Sequence, residues 1–138
     1  MKLITKQSDY AIRSLLALAR HRGSYLSSAA IAREERIPLR FLRLILRALA
    51  QEGMVAVKEG ATGGFSLARL ATKIRLFDVI ALFQGPPSFT ECLFRQKMCA
   101  NRSLCPLRHR LAEIEHLVAS EFGRITIGTL VADLERAK

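Results

Sequence analysis

Three amphipathic helices followed by a β-hairpin form the pattern that most constrains the fold of this chain. The helices are predicted over residues 8–21, 28–34 and 38–52. Two short alternating segments then flank the glycine-rich tip 59–64, with apolar residues at Val55, Val57, Phe65 and Leu67. This order predicts a winged helix-turn-helix, so the chain should be mainly α with a small β-hairpin wing.

The third helix presents two chemically different faces. Its apolar stripe, which has to be buried, consists of Leu42, Ile45, Leu46 and Leu49. Another face carries Arg40, Arg43 and Arg47, whose guanidinium groups can hydrogen-bond to guanine edges or phosphates. A merely solvated arginine face is the ordinary alternative, but the glycine-rich wing after the helix favours contact with nucleic acid.

The positive charge of the chain is concentrated in its first half. The net charge is +10, and residues 1–75 hold 14 lysines and arginines against 5 acidic residues. Residues 76–138 hold 8 against 7. Double-stranded DNA is therefore the expected partner of the first half. No apolar run has the length of a membrane span and no secretory signal is recognisable, so we expect a cytoplasmic protein without membrane association.

The second half is predicted to form a short helix over 76–83, an irregular segment and two further helices. A long helix is predicted from Pro106 to Phe122. From just before its start, apolar residues spaced three or four apart are Leu104, Leu107, Leu111, Ile114 and Val118. This spacing is the seam of a coiled coil and predicts the interface of a homodimer. The predicted division is a DNA-binding domain (1–85), a cysteine-containing segment (86–105), and a dimerisation helix with a C-terminal helix at about 127–136 (106–138).

All three cysteines of the chain lie in one window of 14 residues, spaced Cys92-x6-Cys99-x5-Cys105. An odd number of clustered thiols in a reducing compartment suggests metal or cluster ligation more than disulfides. Thiolates suit iron–sulfur clusters or zinc, and the C-x2-C pairs typical of zinc are absent. Inert or oxidisable cysteines without a cluster are the alternative.

Several segments together resemble the IscR/NsrR/RirA family of winged-helix repressors. Residues 37–46 (IPLRFLRLIL) are similar to the recognition helix of that family, and residues 63–69 (GGFSLAR) to its wing motif. The opening Met1-Lys2-Leu3 and residues 10–13 (YAIR) also match, and the resemblance covers the whole chain. It implies a homodimeric repressor that binds an imperfect palindrome in DNA. Arg43 departs from the family, since IscR has a glutamate there.

The resemblance also implies an iron–sulfur cluster. Cys92, Cys99 and Cys105 match the three cysteine ligands of the family, and Asp9 matches an aspartate of NsrR that ligates the cluster from the partner subunit. The residues around the first and third cysteines are more similar to NsrR and RirA, which hold [4Fe-4S], than to IscR, which holds [2Fe-2S]. A [4Fe-4S] cluster is therefore favoured over [2Fe-2S]. The alternative for Asp9 is a carboxylate that complements the dipole of the first helix.

The expected DNA contacts lie on the second and third helices and on the wing. They are Ser28, Arg36, Pro38, Arg40, Phe41, Arg43, Arg47, Lys58, Thr62, Gly63 and Gly64. The predicted function is a transcriptional regulator whose operator affinity depends on an iron–sulfur cluster that senses iron or cluster status, nitric oxide or redox state. The alternatives are a cluster-free regulator controlled by cysteine oxidation or by a partner, and a small cluster carrier. No constellation of catalytic residues suggests an enzyme.

Overall fold

The computed structural model describes residues 2–88 and 104–138. The helices in this part of the chain are α1 (Lys6–Arg20), α2 (Ser28–Glu35), α3 (Leu39–Gln51), α4 (Leu76–Gln84), α5 (Pro106–Arg124) and α6 (Ile127–Arg136). The strands are β1 (Val55–Lys58) and β2 (Gly64–Leu67), and a 3-10 turn at Ala71–Lys73 precedes α4. Three helices followed by an antiparallel hairpin form the predicted winged helix-turn-helix. No helix in the described ranges is long and apolar enough to cross a bilayer.

Helix α1 is the central element of the core, since it contacts α2, α3, α4, α6 and β2. Its buried residues are Ser8, Ala11, Ser14, Leu15, Ala17 and Leu18. Most of these side chains are small, so neighbouring helices can approach α1 closely. The buried hydroxyl of Ser14 donates to the carbonyl oxygen of Tyr10 at 2.7 Å, which satisfies it inside the core.

Helix α3 buries the predicted apolar stripe of Leu42, Ile45, Leu46 and Leu49. It begins one residue later than predicted, because Pro38 is its N-cap with a non-helical ψ of 125°. At the other end, Arg69 donates from Nη2 to the carbonyl oxygen of Glu52 at 2.7 Å. The buried stripe and the hydrogen bond at the C-terminal end therefore fix the orientation of α3.

The wing is joined to the segment that precedes α2. Strands β1 and β2 pair with Val55 opposite Leu67 and Lys58 opposite Gly64. The N–H of Leu26 donates to the carbonyl oxygen of Phe65 at 2.9 Å, and the N–H of Phe65 donates to that of Leu26 at 2.7 Å. Gly64 lies at this junction with a φ of +150°, and a Cβ there would lie 2.4 Å from the Leu26 carbonyl oxygen. Only glycine fits this close approach.

The end of the chain returns to the winged domain. The N–H of Ile127 donates to the carbonyl oxygen of Ile74 at 2.9 Å, and that of Leu76 donates to Ile125 at 2.8 Å. Ile127 is fully buried, and α6 contacts α1 and the 3-10 turn. Sequence reasoning grouped α6 with the dimerisation helix, whereas its apolar face packs on the core of residues 1–85. The domain boundaries themselves stay predictions.

Gln84, the last residue of α4, ties the N-terminal segment to α4. Its Oε1 accepts hydrogen bonds from the backbone N–H of Thr5 at 2.8 Å and from the hydroxyl of Ser8 at 2.7 Å. Its Nε2 donates to the carbonyl oxygen of Leu3 at 3.0 Å. Because the Thr5 hydroxyl also accepts from the N–H of Ser8 and caps α1, this network fixes where α1 begins.

We expect Gln84→Ala to lower the free energy of unfolding by about 1–3 kcal/mol, because it leaves polar groups of Thr5 and Ser8 without their acceptor. Urea denaturation at fixed protein concentration measures the change. Gln7→Ala is the control, since Gln7 is an exposed glutamine in the first turn of α1; its effect should stay within about 0.5 kcal/mol. Equal stability of the two variants would contradict the role given to Gln84.

Candidate nucleic-acid interface and cysteine ligands

Three arginines of α3 point away from the core. Arg40, Arg43 and Arg47 are exposed, and at about 100° per residue they lie within about 60° of one another around the helix axis. None of them has a hydrogen bond or ion pair with another described residue. Arg13 and Arg20, in contrast, are engaged by acidic side chains. The guanidinium donors of α3 are therefore free to bind an external acceptor.

The turn between α2 and α3 lies beside this face. The Ser27 hydroxyl caps α2 by accepting from the N–H of Ala30 at 3.1 Å, so Ser28 is the first residue of the helix and is half-buried. Arg36 is exposed in a left-handed conformation with a φ of 54°. Pro38 is also exposed, and the Phe41 side chain is 52% exposed. The structure thus places Arg36, Pro38 and Phe41 in the α2–α3 turn and the first turn of α3, whereas Ser28 lies at the other end of α2.

The wing carries the other predicted contacts. Lys58 and Thr62 are exposed, whereas Gly63 and Gly64 are half-buried. A Cβ on Gly63 would lie 2.0 Å from the carbonyl oxygen of Lys58, so both glycines have a structural role in the hairpin. The Lys58 ammonium lies 5.4 Å from the ring centroid of Tyr25, within cation–π range.

Sequence reasoning did not single out Tyr25, which is exposed beside the wing. It comes close to Lys58 through the pairing of Leu26 with Phe65, which are distant in sequence. No local pattern marks such a contact.

Three of the five acidic residues of the first half are paired with arginines outside α3. Asp9 lies against Arg13, with Oδ2 3.1 Å from Nε, and Arg20 binds both Glu34 and Glu35. These three carboxylates therefore leave the arginines of α3 unpaired. At the start of α4, the hydrogen bonds that Arg75 donates to the Asp78 carboxylate, and then the negative charge of Asp78, raise the pKa of Arg75. Arg75 accordingly stays charged and adds no pH dependence near neutrality.

Two of the four predicted cluster ligands fall within the described residues. Cys105 is half-buried and forms the N-cap of α5, with Pro106 as the first helical residue. Asp9 lies in the first turn of α1 and is exposed. Cys92 and Cys99 lie outside the described residues. Within residues 2–88 and 104–138, no three His, Cys, Asp or Glu side chains gather in a group that could hold a metal ion.

The predicted dimer seam lies along α5. Leu104, Leu107 and Ile114 are 80%, 65% and 48% exposed, whereas Leu111 and Val118 are half-buried. Leu117 is 62% exposed and extends the apolar surface, although the spacing of three and four did not include it. Helix α5 contacts α4 but contains no fully buried residue. An apolar surface of this extent on one helix is typical of an interface.

Known proteins share both the sequence and the fold. A family model described as Rrf2, iron-dependent transcriptional regulator, matches residues 4–133. The HTH-type transcriptional regulator IscR of Vibrio atlanticus is 31% identical over 137 residues, which cover 98% of this chain and 78% of that protein.

The fold is also similar to that of solved structures. The structure of T. potens IscR has a TM-score of 0.80 at 22% identity, and the match covers 100% of this chain and 91% of the IscR chain. The structure of CymR, described as the global cysteine regulator of B. subtilis, also has a TM-score of 0.80, at 23% identity and with 96% and 98% coverage.

Proposed function

Because this chain belongs to the Rrf2 family of transcriptional regulators, we propose that it binds an operator through the outer face of α3 and the wing, as a homodimer controlled by an iron–sulfur cluster. Family membership makes it a DNA-binding regulator and confirms the expectation that it is not an enzyme. The particular contacts, the dimer on an imperfect palindrome, the cluster and the cytoplasmic location are the proposal.

The observation that carries the DNA-binding surface is the set of three unpaired arginines on α3. A bidentate arginine recognises the O6 and N7 atoms of guanine in the major groove, which is wide enough to admit an α-helix. In this proposal Ser28, at the first residue of α2, and Lys58, on the wing, bind phosphates on either side of that groove. Together these groups provide base recognition from α3 and positioning from its neighbours.

The dimer supplies a second half-site contact. The exposed leucines and the isoleucine of α5 would be buried against the same helix of a second copy. Two linked DNA-binding domains then bind a palindrome far more tightly than one domain binds a half-site, because the second contact is intramolecular.

The chemistry of the donor set fits an iron–sulfur cluster. Three thiolates of Cys92, Cys99 and Cys105 are soft ligands for iron, and an exposed Asp9 carboxylate from the partner subunit can supply the fourth, displaceable ligand. When bound, the cluster supplies a centre that reacts with oxidants or nitric oxide. [4Fe-4S] is favoured over [2Fe-2S] by the resemblance of the flanking residues to NsrR and RirA.

Arg13 links the proposed cluster ligand Asp9 to the end of α2, next to the DNA-binding surface. Its Nε lies beside the Asp9 carboxylate, and its Nη1 donates to the carbonyl oxygen of Glu35 at 2.6 Å. Glu35 is the last residue of α2, next to the α2–α3 turn. Ligation of a cluster by Asp9 would compete with the Arg13 ion pair and could release Arg13 from that carboxylate. Operator affinity would change if DNA preferred either the paired or the released arrangement.

A second candidate is control by the cysteines without a cluster. The likeness in fold to CymR, named a global cysteine regulator, favours this candidate. Control of operator affinity by a partner protein is a further alternative that is compatible with the same fold. A small cluster carrier is disfavoured because the family consists of DNA-binding regulators.

Replacing Arg43 by alanine should weaken operator binding by about 1–3 kcal/mol if its guanidinium contacts a base. The fold should survive, because Arg43 is exposed. Fluorescence anisotropy with a duplex selected from a random library by the full-length protein measures the affinity. Arg136→Ala is the matched control: it removes the same charge from α6, where Arg136 is paired with Asp133. Wild-type affinity in Arg40→Ala, Arg43→Ala and Arg47→Ala alike would refute the assignment of this face.

Charged residues in the seam should produce monomers. We expect the double variant Leu107→Glu/Ile114→Glu to dissociate, because two carboxylates would have to be buried at the interface. Both side chains are exposed in the single chain, so the winged domain should still fold. Multi-angle light scattering reads the mass, with Ala112→Glu, exposed on the same helix, as the control. A double variant that stays dimeric would show that copies associate through another surface.

Protein purified without oxygen should be brown and contain iron and sulfide. Alanine at any one of the three cysteines should abolish or strongly destabilise the cluster. Asp9→Ala should still assemble it on three thiolates but lose it faster on exposure to air. The control Glu113→Ala alters an exposed carboxylate of α5 and should behave like wild type. Colourless wild-type protein without iron would overturn the cluster and favour control by the cysteines alone.

A further inference from the structure

A large apolar side chain lies at one edge of the arginine face of α3. Leu44 is 58% exposed. At about 100° per residue it lies about 40° from Arg40 and about 60° from Arg47 around the helix axis, and about 100° from Arg43. Phe41 lies one turn earlier and is also exposed. The two side chains form an apolar ridge along one side of the guanidinium groups.

The surroundings of Leu44 restrict what can cover it. An apolar protein surface would have to desolvate the neighbouring arginines, which have no partners among the described residues. The major groove of DNA offers both kinds of group at once: acceptors for arginine and the C5 methyl of thymine, the apolar group on a base edge. Leu44 is also the sixth residue of α3, and recognition helices contact bases with their N-terminal part.

We infer that Leu44 is a specificity-determining residue that contacts the C5 methyl group of a thymine in each operator half-site. This inference rests on the proposed DNA-binding function of α3. Leucine has no hydrogen-bonding atoms in its side chain, so it selects by apolar contact alone. A cytosine at the same position loses the methyl contact, whereas 5-methylcytosine keeps the methyl group while changing the polar edge.

The test uses base analogues in a duplex selected from a random library. Each thymine is replaced in turn by uracil, which removes only the methyl group. Wild-type protein should lose about fourfold in affinity at one thymine of a half-site, as expected for burial of one methyl group. Leu44→Ala should bind the thymine and uracil duplexes equally, and Leu44→Met should retain part of the difference. At that position, 5-methylcytosine should bind better than cytosine.

Leu70→Ala is the matched control, since Leu70 is equally exposed, at 58%, but lies outside α3. It should keep the full difference between thymine and uracil. The inference is overturned if no thymine is sensitive to uracil, if Leu44→Ala keeps the wild-type difference, or if Phe41→Ala removes it and Leu44→Ala does not. Failure of the proposed function has a different result, namely unchanged affinity in all three arginine variants.

Discussion

The burial of α1 against five other elements is the constraint on which the rest of the structure depends. Leu15 and Leu18 of this helix and Leu42, Leu46 and Leu49 of α3 lie in one core. Because the apolar stripe of α3 is buried in this core, the arginine face of α3 has to point outward. Truncating one such leucine to alanine costs about 2–5 kcal/mol, so the orientation of α3 is strongly determined.

Helix α1 connects the proposed cluster ligand Asp9 with the DNA-binding elements. Asp9, in the first turn of α1, lies beside Arg13, and Arg13 reaches the end of α2. At the start of α1, the hydrogen bonds of Gln84 link Thr5 and Ser8 to the last residue of α4. A change at Asp9 therefore acts on a helix that already contacts the DNA-binding elements, and it needs no separate transmission path.

Much of this arrangement could be predicted from the sequence, because regular apolar spacing fixes local structure. The stripe of α3 follows from the 3.6-residue period, and the residue range of α6 could also be predicted, although its packing on the core could not. The buried face of α1 could not be predicted in this way, because small residues such as Ser8 and Ala11 do not form a recognisable apolar stripe in the sequence. The pairing of Leu26 with Phe65 is a single non-local contact without a period. Cys92 and Cys99 lie outside the described residues, so the cluster proposal still depends on donor chemistry and resemblance.

DNA contact by α3 is tested most directly by following the arginine Nε–Hε signals by NMR while the full-length protein is titrated with its selected duplex. We expect large shifts for Arg40, Arg43 and Arg47, because their guanidinium groups exchange water for bases and phosphates. Arg110 and Arg136, which are paired on α5 and α6, should change little. Large shifts confined to α5 or α6, with the α3 signals unchanged, would show that α3 does not present the DNA-binding surface.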